Sequence, residues 1–526
     1  MKPACIKCST RGQLCPGYGD VFDKSHRDET IKTRNRHSHG SHKLLAVKEL
    51  SEQDFSLMQK QTCPQLPQNI SPNVEHNALT WFFLHYNRSY DLQETCSFFG
   101  ILPELYSKST ISSPLRRATT ALALQVVNLH YSHGYEPPKG HDFYTDAVIQ
   151  TRDAISLQGQ SKSDELLMTT LVLEAYESAS ATFGSRSYSA CQSYTHLRGS
   201  IALLKHRGSL NYRDKLSWSL VTATRNKLLH HSWQGNNEQN IIETIRDIWN
   251  SGSGDKPQGP AVEADTLMFK LSQLTLLYRK VSNISSSRNR KKAHSLSVET
   301  NSGDQPKDIL SEAIALANEC ALWQNSLPSS WRPLSVLAST IPASIHATSL
   351  YENVAPKIYA KLSIANSTNR QRITELRCLS LISSYLARIT LPDDGLQDRG
   401  LYRLLFAPLA RAQVLVDEIC ASVPFLTGNV TASGLNATTV LVPSMVQISS
   451  DGNHGSYTFP EDTTEHVQQV VASGLYMMYN TLMAVLDLVC DTDARLTDMG
   501  TILRDGQIMW MIGQVDRLRD ILHLVK

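Results

Sequence analysis

ELRCLSLISSYLARI, Glu375 to Ile389, carries Leu376, Leu379, Ile382, Leu386 and Ile389 on one side of a 3.6-residue repeat. That spacing predicts an amphipathic helix, and the pattern recurs along the chain. PLARAQVLVDEIC repeats it at Leu409, Ala412, Val416 and Ile419, with Pro408 placed at the helix's first turn, where its missing N–H costs little. LRRATTALALQVVNLHY is apolar at Leu115, Ala118, Leu122 and Val126, and DELLMTTLVLEAYE and NALTWFFLHY read the same way. Strand signals are sparse. ATTVLVPSMVQI (Ala437 to Ile448) alternates best, but Pro443 confines it to an edge strand or an extended loop. The expected fold class is all-α, a body of many packed helices.

At 526 residues the chain is long enough for a large core, and 41% hydrophobic with 19% charged residues is a globular composition. The formal charge of +2 is near neutral, yet Met1 to Lys48 holds ten Lys and Arg against four acids. A basic arm on a neutral body points to a polyanion partner, a nuclear import signal, or both. VVASGLYMMYNTLMAVLDLV (Val470 to Val489) is the longest apolar stretch, broken by Ser473, Asn480 and Asp487. A bilayer span needs about 20 nearly uninterrupted apolar residues, so a core helix is expected and no membrane partner. LYMMYN within it, with Met509, Trp510 and Met511 later, reads as plain core before it reads as a ligand pocket.

Three polar interruptions divide the helices. SGSGDKPQGP (Ser251 to Pro260) is a flexible connection, Ser282 to Asp308 is a Ser-rich insertion expected to be disordered, and Ile448 to Glu465 is a third loop. RNRKK inside the insertion offers Arg288, Arg290, Lys291 and Lys292 for nuclear import or phosphate contact, or simply as a solvated charged loop. RHSHGSH (Arg36 to His42) reads as linker, and Asp393 and Asp394 lie in the turn LPDDG. G-x-S-x-G, H-E-x-x-H and the phosphate-binding loop are all missing, so an enzyme is not expected.

The N-terminus carries the sharpest chemistry. PACIKCSTRGQLCPGY (Pro3 to Tyr18) places Cys5, Cys8 and Cys15 at C-x2-C-x6-C spacing, with Lys7 and Arg11 between them. The start MKPACIKCST has no apolar signal region, so a reducing compartment is expected and clustered thiols favour metal over disulfide. A short turn brings two thiolates onto one zinc, but a tetrahedral site wants four ligands. Three free thiols are the alternative. The other seven cysteines are scattered singly and read as buried, inert core residues.

Pro3, the three cysteines and CPGYGDVFDKSHRDET (Cys15 to Thr30) resemble the second half of the fungal binuclear zinc-cluster (Zn2Cys6) transcription regulators. Cys5, Cys8 and Cys15 match that family's fourth, fifth and sixth zinc ligands. HLRGSIALLKHRG (His196 to Gly208), WQNSLPSSWRP (Trp323 to Pro333) and EICASVPFLTG (Glu418 to Gly428) are similar, in order, to landmarks of its helical regulatory domain. The resemblance implies a partial zinc-cluster segment at 1–18, a basic linker at 19–75 and a helical regulatory domain at 76–526. It implies structural zinc on Cys5, Cys8 and Cys15, DNA phosphate contacts from Lys7 and Arg11, nuclear localisation, and homodimer or partner-regulator contacts. The role implied is control of metabolic genes, secondary-metabolite genes among them. The family's first half, with its bridging thiolate and DNA-reading helix, does not precede Cys5 in this sequence. The expectation therefore divides between a chain lacking that N-terminal half and a co-regulator that acts through protein or small-ligand contacts without binding DNA.

Overall fold

The computed structural model describes residues 74–87, 97–131, 138–157, 160–183, 190–208, 212, 214–233, 239–252, 256–292, 305–336, 341, 343–352, 354–390, 399–430, 465–490 and 503–522. Of these, 85% are helical, and the fold is all-α. All of them belong to one compact unit, Pro72–Lys526.

The first part of the body runs α1 (Val74–Asn87), α2 (Leu102–Lys108), α3 (Pro114–Tyr131), α4 (Pro138–Ser156), α5 (Asp164–Phe183), α6 (Ala190–Arg207), α7 (Lys215–Trp233) and α8 (Gln239–Ser251). Helix α3 starts where Ser113 Oγ accepts the Leu115 N–H at 3.0 Å, with Pro114 in its first turn. Its four expected core positions, Leu115, Ala118, Leu122 and Val126, are all buried. Thr119 and Thr120 are buried too, and their hydroxyls donate to the carbonyls of Leu115 and Arg116, which lets polar residues line a central helix. Helix α6 stops at Gly208, whose φ of 75° supplies the left-handed residue that closes a helix C-terminus.

The second part runs α9 (Pro260–Lys292), α10 (Gln305–Ser326), a 3-10 turn at Ser329–Trp331, α11 (Ala343–Ser349), α12 (Leu362–Thr390) and α13 (Arg399–Leu426). After these come α14 (Glu465–Gln469), a π turn at Val470–Gly474, α15 (Leu475–Cys490) and α16 (Gln507–Ile521). The described strands are two-residue β1 (Leu334–Ser335) and β2 (Lys357–Ile358), an antiparallel pair. Leu376, Leu379 and Ile382 of α12 are buried, as are Ala412, Val416 and Ile419 of α13. Helix α12 is buried on nearly every side because α9, α10, α13 and α15 all pack on it.

Two apolar cores result. One gathers α1 to α8, the other α10 to α13 with α15 and α16, and α9 belongs to both. Leu267, Leu271 and Leu274 of α9 face the second core, while Met268 and Phe269 face the first. Buried Met477, Met478 and Met511 are core, as expected for an apolar helix face, whereas Met509 is 69% exposed. Val470–Cys490 is the one described helical stretch long and apolar enough to cross a membrane by length and composition. Its Met478, Leu482 and Val485 pack into the second core.

Three expectations are corrected. Pro408 is not in a first turn: α13 begins at Arg399 and holds both Pro408 and Pro424 inside it. The apolar run before Pro408 continues the helical spacing, and the cost is one bond, to the Leu404 carbonyl. Part of the insertion expected to be disordered is ordered, since residues 282–292 extend α9 and 305–308 begin α10. Cations near a helix C-terminus suit its dipole, which favours the extension through RNRKK. The connection at 251–260 is partly pinned: a Cβ on Gly252 would lie 2.4 Å from the Trp218 ring, so only glycine fits there. ATTVLVPSMVQI, LPDDG, RHSHGSH and the loop before Glu465 lie outside the described residues.

Candidate functional site

The expected zinc ligands Cys5, Cys8 and Cys15, and the phosphate contacts Lys7 and Arg11, lie outside the described residues. Arg288, Arg290, Lys291 and Lys292 sit in the last turns of α9, where the backbone is helical; their side chains are not described. Among the described residues no group of three or more His, Cys, Asp or Glu is placed to hold a metal. Cys320, Cys378 and Cys420 are buried as expected, whereas Cys490, at the end of α15, is exposed; burial pushes the Cys320 and Cys420 thiols up to about 12 and raises Cys378 as well. A thiol kept protonated is neither nucleophile nor ligand.

The body does contain dense buried charge, held between packed helices. In the second core, α10, α12 and α13 are tied by a polar ladder. Arg411 grips Glu375 through two bonds of 2.6 and 3.1 Å and donates to Gln324 at 3.0 Å. Gln324 donates to Gln371, and Gln371 donates to the Cys320 carbonyl at 2.9 Å. One turn along, Arg372 donates to Glu418, Tyr359 and Asn369 at 2.7 to 2.9 Å. Two of the three landmark stretches of the sequence contribute: Gln324 from Trp323–Pro333, Glu418 and Ser422 from Glu418–Gly428.

In the first core, α5 presents two glutamates three residues apart. Glu174 meets Lys227 at 2.7 Å and His231 at 3.0 Å, both from α7. Burial alone would raise its pKa, but the Lys227 charge and then the His231 contact outweigh burial and hold the carboxyl well below its ordinary value. Glu177 accepts from Tyr144 of α4 and faces His196 of α6 at 3.2 Å. His196 is the first residue of the remaining landmark, so that motif is a contact between helices.

The two halves join at α9. Arg225 of α7 is fully buried, bonded to Asp265 at 2.6 Å, and lies 3.9 Å over the Trp249 ring. Beside it, Asn226, Asp265, Ser367, Arg370 and Thr374 line a cavity of about 10 Å³, the space of one water molecule. Arg370 donates to the Met268 sulfur at 3.6 Å. Every one of these groups can position helices; none of them pairs a nucleophile with a base over an open pocket.

No family model, no curated protein and no solved structure matches this chain. The functional reading therefore rests on the residues themselves. Sequence reasoning missed the buried ladder, although a signal existed. Glu174 follows Leu167 and Leu171 at helical spacing, and Glu375 directly precedes Leu376, so both carboxylates fall within apolar patterns.

Proposed function

We propose that the chain is a nuclear transcription regulator of the fungal zinc-cluster type, controlling metabolic genes, secondary-metabolite genes among them. The observation that carries this reading is C-x2-C-x6-C at Cys5, Cys8 and Cys15, in the setting of Pro3, PGY and RDET, on a basic arm ahead of an all-α body. Three thiolates are a donor set that suits zinc, which when bound cross-links a segment too short to fold on its own core. Lys7 and Arg11 then meet DNA phosphates, and the α9 cations Arg288, Arg290, Lys291 and Lys292 serve nuclear import. The helical body supports a regulatory role: its buried charges are tied across helices, which suits a scaffold that presents surfaces to a second copy or to partner regulators.

The test uses the full chain. Zinc content is measured by mass spectrometry and DNA retention by gel shift across a salt series. Bound zinc, sequence-specific retention and a steep loss of affinity with salt support the reading. Cys8→Ser is expected to remove both the zinc and the retention. Zinc without retention at low salt would move the chain to the co-regulator role, acting through protein or small-ligand contacts.

A further inference from the structure

Lys256 lies in the connection between α8 and α9, yet it is not a freely solvated charge. Its Nζ donates to the Trp249 carbonyl at 2.6 Å, and lies 5.0 Å from the centre of the Trp218 ring and 5.3 Å from that of Trp249. The two indoles meet edge to face, with ring centres 5.3 Å apart. Among the described residues no carboxylate pairs with Lys256. Its charge is met instead by two ring systems and by a carbonyl in the last turn of α8, the negative end of the helix dipole.

Both tryptophans are held from other sides. Trp218 is fully buried in the first core, and a Cβ on Gly252 would lie 2.4 Å from its ring. Trp249 packs against both cores. Arg225 lies 3.9 Å over the Trp249 ring and is neutralised by Asp265 at 2.6 Å. Trp249 therefore meets two cations, one paired with a carboxylate and one not. Arg225 is fully buried, whereas Lys256 is half-buried and reaches solvent.

An ammonium held in this way is a fastening that depends on its charge. The ring quadrupoles attract a cation and give a neutral amide no comparable attraction, and acylation also leaves one N–H where there were three. We propose that Lys256 Nζ is an acylation site, and that acylation loosens the connection where α8 meets α9. In the step, Nζ forms an amide bond to the acyl carbon of a thioester and the carbon–sulfur bond breaks. The ammonium loses two protons, one to solvent and one with the departing thiol. Because Trp249 touches both cores, the lost charge is felt at the seam between them. The inference concerns the helical body and does not rest on DNA binding.

The experiment uses the full chain. Incubation with acetyl-coenzyme A, followed by peptide mass spectrometry, is expected to find Lys256 modified alongside exposed Lys205 and Lys215. Acetyl-lysine is then built in at position 256, and amide hydrogen exchange is compared with the wild type, Lys256→Arg and Lys256→Met. The N–H groups to follow are Gly252, bonded to the Ile248 carbonyl, and Val262 and Glu263, bonded to that of Gly259. Acetyl-lysine and Lys256→Met are expected to speed their exchange about tenfold. Lys256→Arg keeps a cation over the rings and is expected to stay within about twofold of the wild type. Leu376, in α12, is expected to keep its wild-type rate throughout. Four outcomes overturn the proposal: Lys256 stays unmodified while Lys205 and Lys215 are acylated, acetyl-lysine leaves exchange at the wild-type rate, Lys256→Arg exchanges as fast as Lys256→Met, or Leu376 quickens as much as Gly252. The last would mean that the whole body, not the connection, had loosened.

Discussion

Glu174 is 1% exposed and sits between a lysine and a histidine from α7. Its folded pKa lies below the ordinary 4.5, so the ionised form stabilises the fold above about pH 5, and that contribution is lost as pH falls. Glu174→Gln removes the charge and leaves Lys227 facing a neutral amide. The variant is expected to lose about 2–4 kcal/mol at pH 7 in urea unfolding, with the gap to wild type narrowing from pH 5 to pH 3. A gap that stays constant over that range would show that Glu174 acts through packing alone. Single residues of this kind are where sequence reading is weakest. A glutamate within MTTLVLEAYE looks like the polar edge of an amphipathic helix, and only the approach of Lys227 and His231, more than fifty positions later, turns it inward. Leu115 and Ile419 carried no such ambiguity, because an apolar side chain at core spacing needs no partner to justify its burial.

Elements were legible wherever apolar spacing ran for three turns or more, as in α3, α5 and α12. Their ends were less so. Leu401 and Leu405 continue the spacing of α13 upstream of Pro408, and a proline that normally opens a helix was bridged by the elements packed on it. The break between α14 and α15 is different in kind. Five residues, Val470–Gly474, widen into a π turn, and Gly474 ends it so near α13 that a Cβ would lie 2.8 Å from the Leu426 carbonyl. No spacing rule announces that approach. Gly513 of α16 gives the contrast, since nothing lies within 4 Å of its Cβ position. Gly513→Ala is expected to stabilise by about 0.5–1 kcal/mol, as alanine does at an open helical site. Gly474→Ala is expected to destabilise by more than 1 kcal/mol, because the clash is with backbone. Paired denaturant titrations measure both, and equal effects would contradict the close approach of α13 to the π turn.

At the scale of the whole molecule the body has two cores but one seam. Trp218 is buried in the first, Trp323 and Trp331 in the second, and Trp249 packs against both. Because α9 contributes side chains to each core and Asp265 anchors Arg225 across them, the halves are expected to unfold together. Leu167→Ala in the first core and Leu376→Ala in the second should each cost about 2–5 kcal/mol and shift a single transition. Tryptophan fluorescence and far-UV circular dichroism would report coincident midpoints in both variants. Arg225→Met with Asp265→Leu removes the polar anchor while keeping bulk, and a transition that splits only in that double variant would locate the coupling in the ion pair. None of this whole-molecule arrangement was visible beforehand. A continuous run of apolar positions says that a helix is buried, not that two separate cores share it.

Between Ala261 and Leu274, α9 leaves Glu263 and Lys270 as its exposed residues, a thin line along one side. An ordinary surface helix has a wet face on which mutations accumulate harmlessly while the dry face is held constant. This stretch has almost no such face, and a change that one core would accept must also suit the other. Drift there is restrained from two directions at once, so in a lineage of such chains α9 would hold its residues while helices such as α4, with Ile149 and Ile155 open to solvent, wandered.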